Sequence, residues 1–228
     1  MLIKEWMSKD LITVDENTSL MRATRIMKEN SIRRLPVLGS GKLVGILSDR
    51  DVKDASPSKM TAMDIHEFYY FLSEMKVKDA MTNRPLTLHQ DDLLERAAIL
   101  MLKNKISGVP VLDESGNLVG LLSSTDVVRG FIHSTGIGEE TVLIVFNLQD
   151  EPGWVTGLIK KLRKNNASII GVRTDFKEAQ EGMKKVAIRI NLPDKEKLDE
   201  LIDILSDEYE IIYHMLDHIN DLPGKTSE

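Results

Sequence analysis

Two hydroxyl–carboxylate pairs, Ser48 with Asp51 and Ser123 with Asp126, sit where an apolar run gives way to a polar, helix-like pattern. A carboxylate placed there offers two acceptor oxygens, which suits the paired hydroxyls of a ribose. The start of a helix adds unpaired backbone N–H groups and the positive end of its dipole, and both favour phosphate. The apolar run beside it can hold a flat base. Ser-x-x-Asp before a helix is equally the pattern of a capping box, in which the two side chains serve the backbone and no ligand is required. Arg33 and Arg34, just ahead of Leu35-Pro36-Val37, turn the balance toward a ligand, since two adjacent guanidinium groups at a strand entrance suit phosphate oxygens. A solvated loop end, or ion pairing with Asp49 and Asp51, is the alternative for this arginine pair. The second copy carries Ser107 and Gly108 instead, so phosphate-binding capacity is concentrated on the first.

The elements that position these residues occur twice. Leu43-Val44-Gly45-Ile46-Leu47-Ser48-Asp49-Arg50-Asp51 is answered by Leu118-Val119-Gly120-Leu121-Leu122-Ser123-Ser124-Thr125-Asp126. Pro36 and Pro110, Met7 and Met81, Ala23 and Ala97, and Met27 and Met101 are all 74 apart, while the glycine motifs are 75 apart. A register held over some fifty residues with one turn insertion, at Asp113-Glu114-Ser115-Gly116, is a duplicated structural unit. Each unit reads β-α-β-β-α: a short strand near Leu11 to Val14, a helix from Ser19 to Glu29 striped with Leu20, Ala23 and Met27, strands at 35–38 and 43–47, and a helix from Asp49. Between the units, residues 57–75 predict a connector helix with an aromatic face of Phe68, Tyr69 and Phe71.

After Gly138 the pattern changes. Alternating Val142, Ile144 and Phe146, a turn at Asp150-Glu151-Pro152-Gly153, helical stripes at Val155 to Leu162 and Leu198 to Leu205, and strands at 169–173, 186–190 and 211–213 spell β-α-β-β-α-β. That is a ferredoxin-like plan, and the chain as a whole is α+β. The expected boundaries are 1–56 and 76–136 for the two repeats, 141–216 for the last domain and 217–228 for a tail.

Composition narrows the function. The 228 residues are 42% apolar and carry a net charge of −6, which argues against broad nucleic-acid binding. There is no membrane-length apolar run, no secretory layout at the start and no cysteine, which together point to a cytoplasmic protein without disulfides or thiolate metal sites. His214 and His218, with Asp217 beside them, would share a helix face, but the strand expected at 211–213 makes that spacing uninformative and no metal is assigned. Glu139-Glu140 and Glu208-Tyr209-Glu210 read as solvated faces. Without a nucleophile elbow, phosphate-loop lysine or dinucleotide fingerprint, no catalytic residue is assigned and the chain is not read as an enzyme.

Both repeats resemble cystathionine-beta-synthase-type (CBS) domains, and together they resemble a CBS pair, a module that commonly binds adenosine nucleotides and regulates an attached or partner protein. The resemblance implies that Asp51 and Asp126 hold ribose, with Ser48 and Ser123 beside ribose or phosphate. It implies that Ile46, Leu121, Ile32 and Ile106 line the base, that Arg33, Arg34 and Ser107 face phosphate, and that Thr18 supplies a hydroxyl where the second repeat has Asp92. The last domain resembles an ACT domain, often an amino-acid sensor, with Asp150, Gly153 and Ser168 as the implied ligand positions. Ser168 stands where that family often has asparagine. CBS pair plus ACT resembles the acetoin-utilisation B proteins. The expectation is a homodimeric regulator of an unidentified partner protein that takes AMP, ADP or ATP as regulatory ligand, with an amino acid or a dimer contact at the ACT domain. A ligand-free interaction scaffold, its aspartates only capping helices, is the alternative.

Overall fold

The computed structural model describes residues 1–55, 70, 72–175 and 181–221. The chain divides into two compact units, Met1–Gly130 and Phe131–Glu228.

In the first unit, repeat one comprises β1 (Val14–Asp15), α1 (Leu20–Glu29), β2 (Arg34–Gly39), β3 (Lys42–Ser48) and α2 (Asp49–Ala55). Repeat two comprises a two-residue β4 (Thr82–Asn83), β5 (Leu88–His89), α3 (Leu94–Asn104), β6 (Gly108–Leu112), β7 (Leu118–Ser123) and α4 (Ser124–Ser134). The helical stripes are buried as their spacing implies: Leu20, Ala23 and Met27 on α1, and Leu94, Ala97 and Met101 on α3. Ser19 caps α1 by accepting the Arg22 N–H at 3.3 Å. The β2–β3 hairpin turns through Ser40 and Gly41, both at positive φ, as a two-residue connection requires. Its counterpart is longer, and there the Asp113 carboxylate gathers the N–H groups of Ser115 and Asn117 at 2.9 and 2.8 Å. The first strand is shorter and later than the expected 11–14, because it exists only where Val14 and Asp15 pair in parallel with Val37 and Leu38.

The leading segments of the repeats are exchanged. β4, which opens repeat two, pairs with β3 of repeat one, Ile46 opposite Thr82 and Gly45 opposite Asn83. Reciprocally, Ser8 exchanges two backbone hydrogen bonds with Leu121 at 3.0 and 3.1 Å. Val77 and Met81 therefore join the core of repeat one, while Ile3 and Met7 join that of repeat two. The glycines of the duplicated motif make this possible, since a Cβ on Gly45 would overlap Met81 Sδ and one on Gly120 would overlap Met7 Sδ.

The second unit contains β8 (Val142–Gln149), α5 (Trp154–Lys164), β9 (Ser168–Asp175), β10 (Met183–Asn191), α6 (Leu198–Ser206) and β11 (Glu210–Leu216). Its antiparallel sheet has the order β11-β8-β10-β9, the ferredoxin-like arrangement expected from the pattern. Val142, Ile144, Phe146, Val186, Ile188 and Ile190 form one core with Leu158 and Leu162 of α5 and Leu201 and Leu205 of α6. Arg189 and Asp217 form a buried ion pair, joined by the Thr141 hydroxyl, which donates to Asp217 at 2.7 Å.

Of the expected connector, Tyr70 and Leu72–Glu74 are helical and Leu72 packs into the core of repeat one. Phe68, Tyr69 and Phe71, and the last seven residues, lie outside the described residues. Among the described residues no helix is long and apolar enough to cross a membrane.

Candidate functional site

The turn from β3 into α2 is built by the Ser48–Asp51 pair acting on itself. Asp51 Oδ2 accepts from the Ser48 backbone N–H and from its hydroxyl, both at 2.7 Å, and the Asp51 N–H donates back to Ser48 Oγ at 3.2 Å. The capping box anticipated as the alternative thus forms, but it uses one carboxylate oxygen. Among the described residues no side-chain hydrogen bond reaches Asp51 Oδ1, and Asp51 lines a cavity of about 690 Å³. That volume lies within the range of small-molecule sites, roughly 300 to 1,000 Å³.

The cavity is shared by the repeats. Repeat one supplies Arg33 and Arg34 at the entrance of β2, Ile46 from β3, and Ser48 and Asp51. Repeat two supplies the α3–β6 turn, including Ile106, Ser107 and Gly108. The Asp49 N–H donates to the Arg33 carbonyl at 3.0 Å, which fixes the arginine pair beside the start of α2. Arg34 then reaches across to repeat two, where Nη2 donates to Ser107 Oγ and the side chain lies over Gly108. A Cβ at Gly108 would sit 2.7 Å from Arg34 Cδ. The Ser107-Gly108 departure thus makes room for the arginine of the other repeat. Burial holds the Arg34 guanidinium below its ordinary pKa, Asp49 opposes that shift, and Arg33 adds to it.

Of the residues singled out from the sequence, the structure brings Arg33, Arg34, Ile46, Ser48, Asp51, Ile106 and Ser107 to this one cavity. Thr18, Ile32, Leu121, Ser123 and Asp126 do not line it. Thr18 is held in the loop before α1, its carbonyl accepting the Val77 N–H at 2.8 Å, and Ile32 packs on the core of repeat one. Ser123 and Asp126 repeat the reciprocal cap, at 2.9, 2.6 and 3.2 Å, but there Arg129 takes the second oxygen at 3.1 Å and Asp126 is only 8% exposed. Asp92, the counterpart of Thr18, accepts the His89 N–H and pairs with Arg96.

The cavity also contains residues that the sequence reading did not assign: Arg50, Lys53, Arg84 and Lys105. Arg50 lies inside the motif and Lys53 two residues beyond it. Arg84 and Lys105 stand on left-handed backbone, φ 47 and 53, a conformation that a linear pattern does not reveal.

In the second unit the three expected ligand positions do not meet. Gly153 caps α5 at φ 102, and Asp150 pairs with Lys184 at 2.9 Å. Ser168 starts β9 opposite Asn191, at the far end of the sheet from the Gln149–Met183 pair. α5 carries the chain back along the sheet, so β8 and β9 start at the same end, and seven residues of strand, about 23 Å, separate Ser168 from the turn. His214 lies on a strand, so its spacing to His218 is not a helical turn. Among the described residues no cluster of three or more potential metal ligands occurs.

The CBS domain family model matches residues 3–58 and 77–133, the two repeats. A CBS domain-containing protein of Dictyostelium discoideum is 35% identical over 128 residues, which is 56% of this chain and 88% of that protein. Among solved structures, the CBS-domain pair of protein MJ0100, in complex with 5′-methylthioadenosine and S-adenosyl-L-methionine, is 33% identical. It aligns with a TM-score of 0.50 over 58% of this chain and 97% of its own. A Vibrio cholerae protein described as an acetoin utilization protein (AcuB) is 25% identical, with a TM-score of 0.50 over 60% of this chain and 93% of its own. The repeat, the fold built from it and these likenesses agree, and the chain belongs to the CBS-domain family, with its two copies forming a CBS pair.

Proposed function

We propose that the CBS pair binds an adenine nucleotide in the cavity between the repeats and that the protein is a regulator rather than an enzyme. The observation that carries this is the Asp51 carboxylate, which has one oxygen uncommitted and lines a cavity together with Ile46, Ile106 and an arginine pair. In this reading Asp51 takes the ribose hydroxyls, Ile46 and Ile106 flank the base, and Ser48, Arg33, Arg34 and Ser107 face the phosphate. The adenosine compounds bound to the pair of MJ0100 support the ligand class. Thr18, Ile32, Leu121, Ser123 and Asp126 are proposed as a second site that stays closed while Arg129 holds Asp126. Because the cavity draws walls from both repeats, a ligand there favours one arrangement of the pair, which is how binding reaches a partner protein.

The second unit is proposed as an ACT domain, on the strength of its topology and of the Gly153 turn. Since Ser168 is about 23 Å of strand from Asp150 and Gly153, a small amino acid touching all three takes them from two chains. Homodimerisation is also supported by repeat two, where Ile99, Leu102 and Val128 are exposed at positions that repeat one fills with Arg25, Lys28 and Lys53. A role in acetoin utilisation and a cytoplasmic address complete the proposal.

Calorimetry of the whole chain with AMP, ADP, ATP and S-adenosylmethionine tests the central point. Saturable binding of at least one, weakened about tenfold or more in Asp51→Ala, is expected. A folded chain that binds none of them is the ligand-free scaffold instead, in which the reciprocal cap is all that Ser48 and Asp51 do.

A further inference from the structure

The cavity is much more basic than the protein that surrounds it. Arg33, Arg34, Arg50, Lys53, Arg84 and Lys105 line it, against the carboxylates of Asp49 and Asp51, in a chain whose net charge is −6. Three segments contribute these cations: the β2 entrance with α2, the loop after β4, and the end of α3. Among the described residues Arg33, Arg50, Arg84 and Lys105 form no side-chain ion pair, and the only acid within 4.0 Å of Lys53 is Asp49. Clustered like charges repel one another, and a fold that needed them only for solubility would scatter them. Arg84 and Lys105 also hold left-handed backbone that residues with a Cβ seldom adopt.

The count bears on the ligand. A phosphomonoester carries roughly two negative charges near neutral pH, and each further phosphate in a chain adds about one. A nucleoside monophosphate therefore leaves about half of the cationic surplus unmatched, and a cationic sulfonium ligand adds to it. A triphosphate, at about four charges, matches the difference between six cations and two carboxylates. Arg84 and Lys105 belong to repeat two and the other four cations to repeat one, so an anion that meets both groups is held by both repeats.

We infer that this cavity selects nucleotides by the length of their phosphate chain, binding the triphosphate and diphosphate ahead of the monophosphate and of S-adenosylmethionine, with Arg50, Arg84 and Lys105 as the residues that read the distal phosphates. This rests on the adenine-nucleotide reading above and adds to it a ranking and three residues.

The test is calorimetry on the full chain, in magnesium-free buffer of fixed ionic strength, with ATP, ADP, AMP, S-adenosylmethionine and inorganic tripolyphosphate. ATP is expected to bind at least about tenfold more tightly than AMP, with a steeper loss on added salt, since charged hydrogen bonds to phosphate are among the stronger and more salt-sensitive contacts. Arg84→Asn with Lys105→Asn keeps a residue type that tolerates the left-handed backbone and removes both charges. It is expected to weaken ATP about tenfold or more and AMP less than about threefold. Arg50→Gln, at an exposed helical position, gives the same differential readout without touching either left-handed residue. AMP binding as tightly as ATP, or folded variants that leave the ATP-to-AMP ratio unchanged, would overturn the ranking while leaving the adenine-nucleotide reading intact. Tripolyphosphate binding without any nucleotide preference would remove the adenine reading and keep the phosphate-chain site. No binding by any of the five would remove both.

Discussion

The two repeats carry the same Ser-x-x-Asp cap, and they use it differently. In repeat one Asp51 lines the cavity and uses Oδ2 to cap α2, and among the described residues no side-chain hydrogen bond reaches its Oδ1. In repeat two Asp126 caps α4 with Oδ2, commits Oδ1 to Arg129 and is buried. The residue three positions on differs: Arg129 pairs with Asp126 Oδ1, whereas Asp54 at the equivalent place offers Asp51 Oδ1 no cation. Asp92 is tied in the same way, by the His89 N–H and Arg96, where repeat one has Thr18. Duplication preserved the structural half of the motif in both copies and left its second oxygen available in one. A hydroxyl–carboxylate pair is thus a site only when a neighbouring charge does not claim it.

Binding measurements on paired variants should sharpen this contrast most. Asp51→Ala is expected to cost about 1.5 to 3 kcal/mol of nucleotide affinity, the loss of a charged hydrogen bond, whereas Asp126→Ala changes affinity at this cavity by less than about 0.5 kcal/mol. Equal losses in two folded variants would erase the distinction between the repeats.

Packing should show the opposite, a symmetric response. Gly45→Ala and Gly120→Ala each drive a methyl group into a methionine sulfur, and both are expected to lower stability by about 1 to 3 kcal/mol in denaturant titrations. Should only one of them destabilise, the exchanged segments would not be equivalent. Gly108→Ala has no counterpart in repeat one and acts on Arg34 instead. It should lower nucleotide affinity by about 1 kcal/mol with a smaller change in stability, as expected for a displaced charged hydrogen bond.

The smallest effect comes from releasing Asp126. Arg129 is largely exposed, so its ion pair is worth less than about 1 kcal/mol, and Arg129→Ala should leave stability nearly unchanged. If the pair is what closes the second carboxylate, the variant gains weak binding of a second nucleotide, visible as a rise in stoichiometry above that of the parent chain. An unchanged stoichiometry would mean that burial alone, and not Arg129, keeps Asp126 out of use.

Much of this was legible from residue order. The 74- and 75-residue offsets identified the duplication, the helical stripes and alternating strands located nearly every described element, and Ser48, Asp51, Arg33 and Arg34 were found without coordinates. The first strand was misplaced because a two-residue ladder is defined by its partner and has no pattern of its own. Arg84 and Lys105 were missed because residues in a loop and at a helix end carry no periodicity. Asp126 looked equivalent to Asp51 because the motif ends before the residue that separates them.

The amino-acid order alone determined which segments are strands and helices and which side of each is buried, since both follow from local spacing and the need to keep apolar groups from water. The partnership of residues far apart was decided only when the repeats docked: Met7 on Gly120 and Met81 on Gly45, Arg34 across Gly108, Ile46 in one cavity with Ile106, and Ser168 apart from Gly153. Periodicity records how one segment meets solvent and core. It holds no term for the segment that will lie against it, and a shared cavity consists of those meetings.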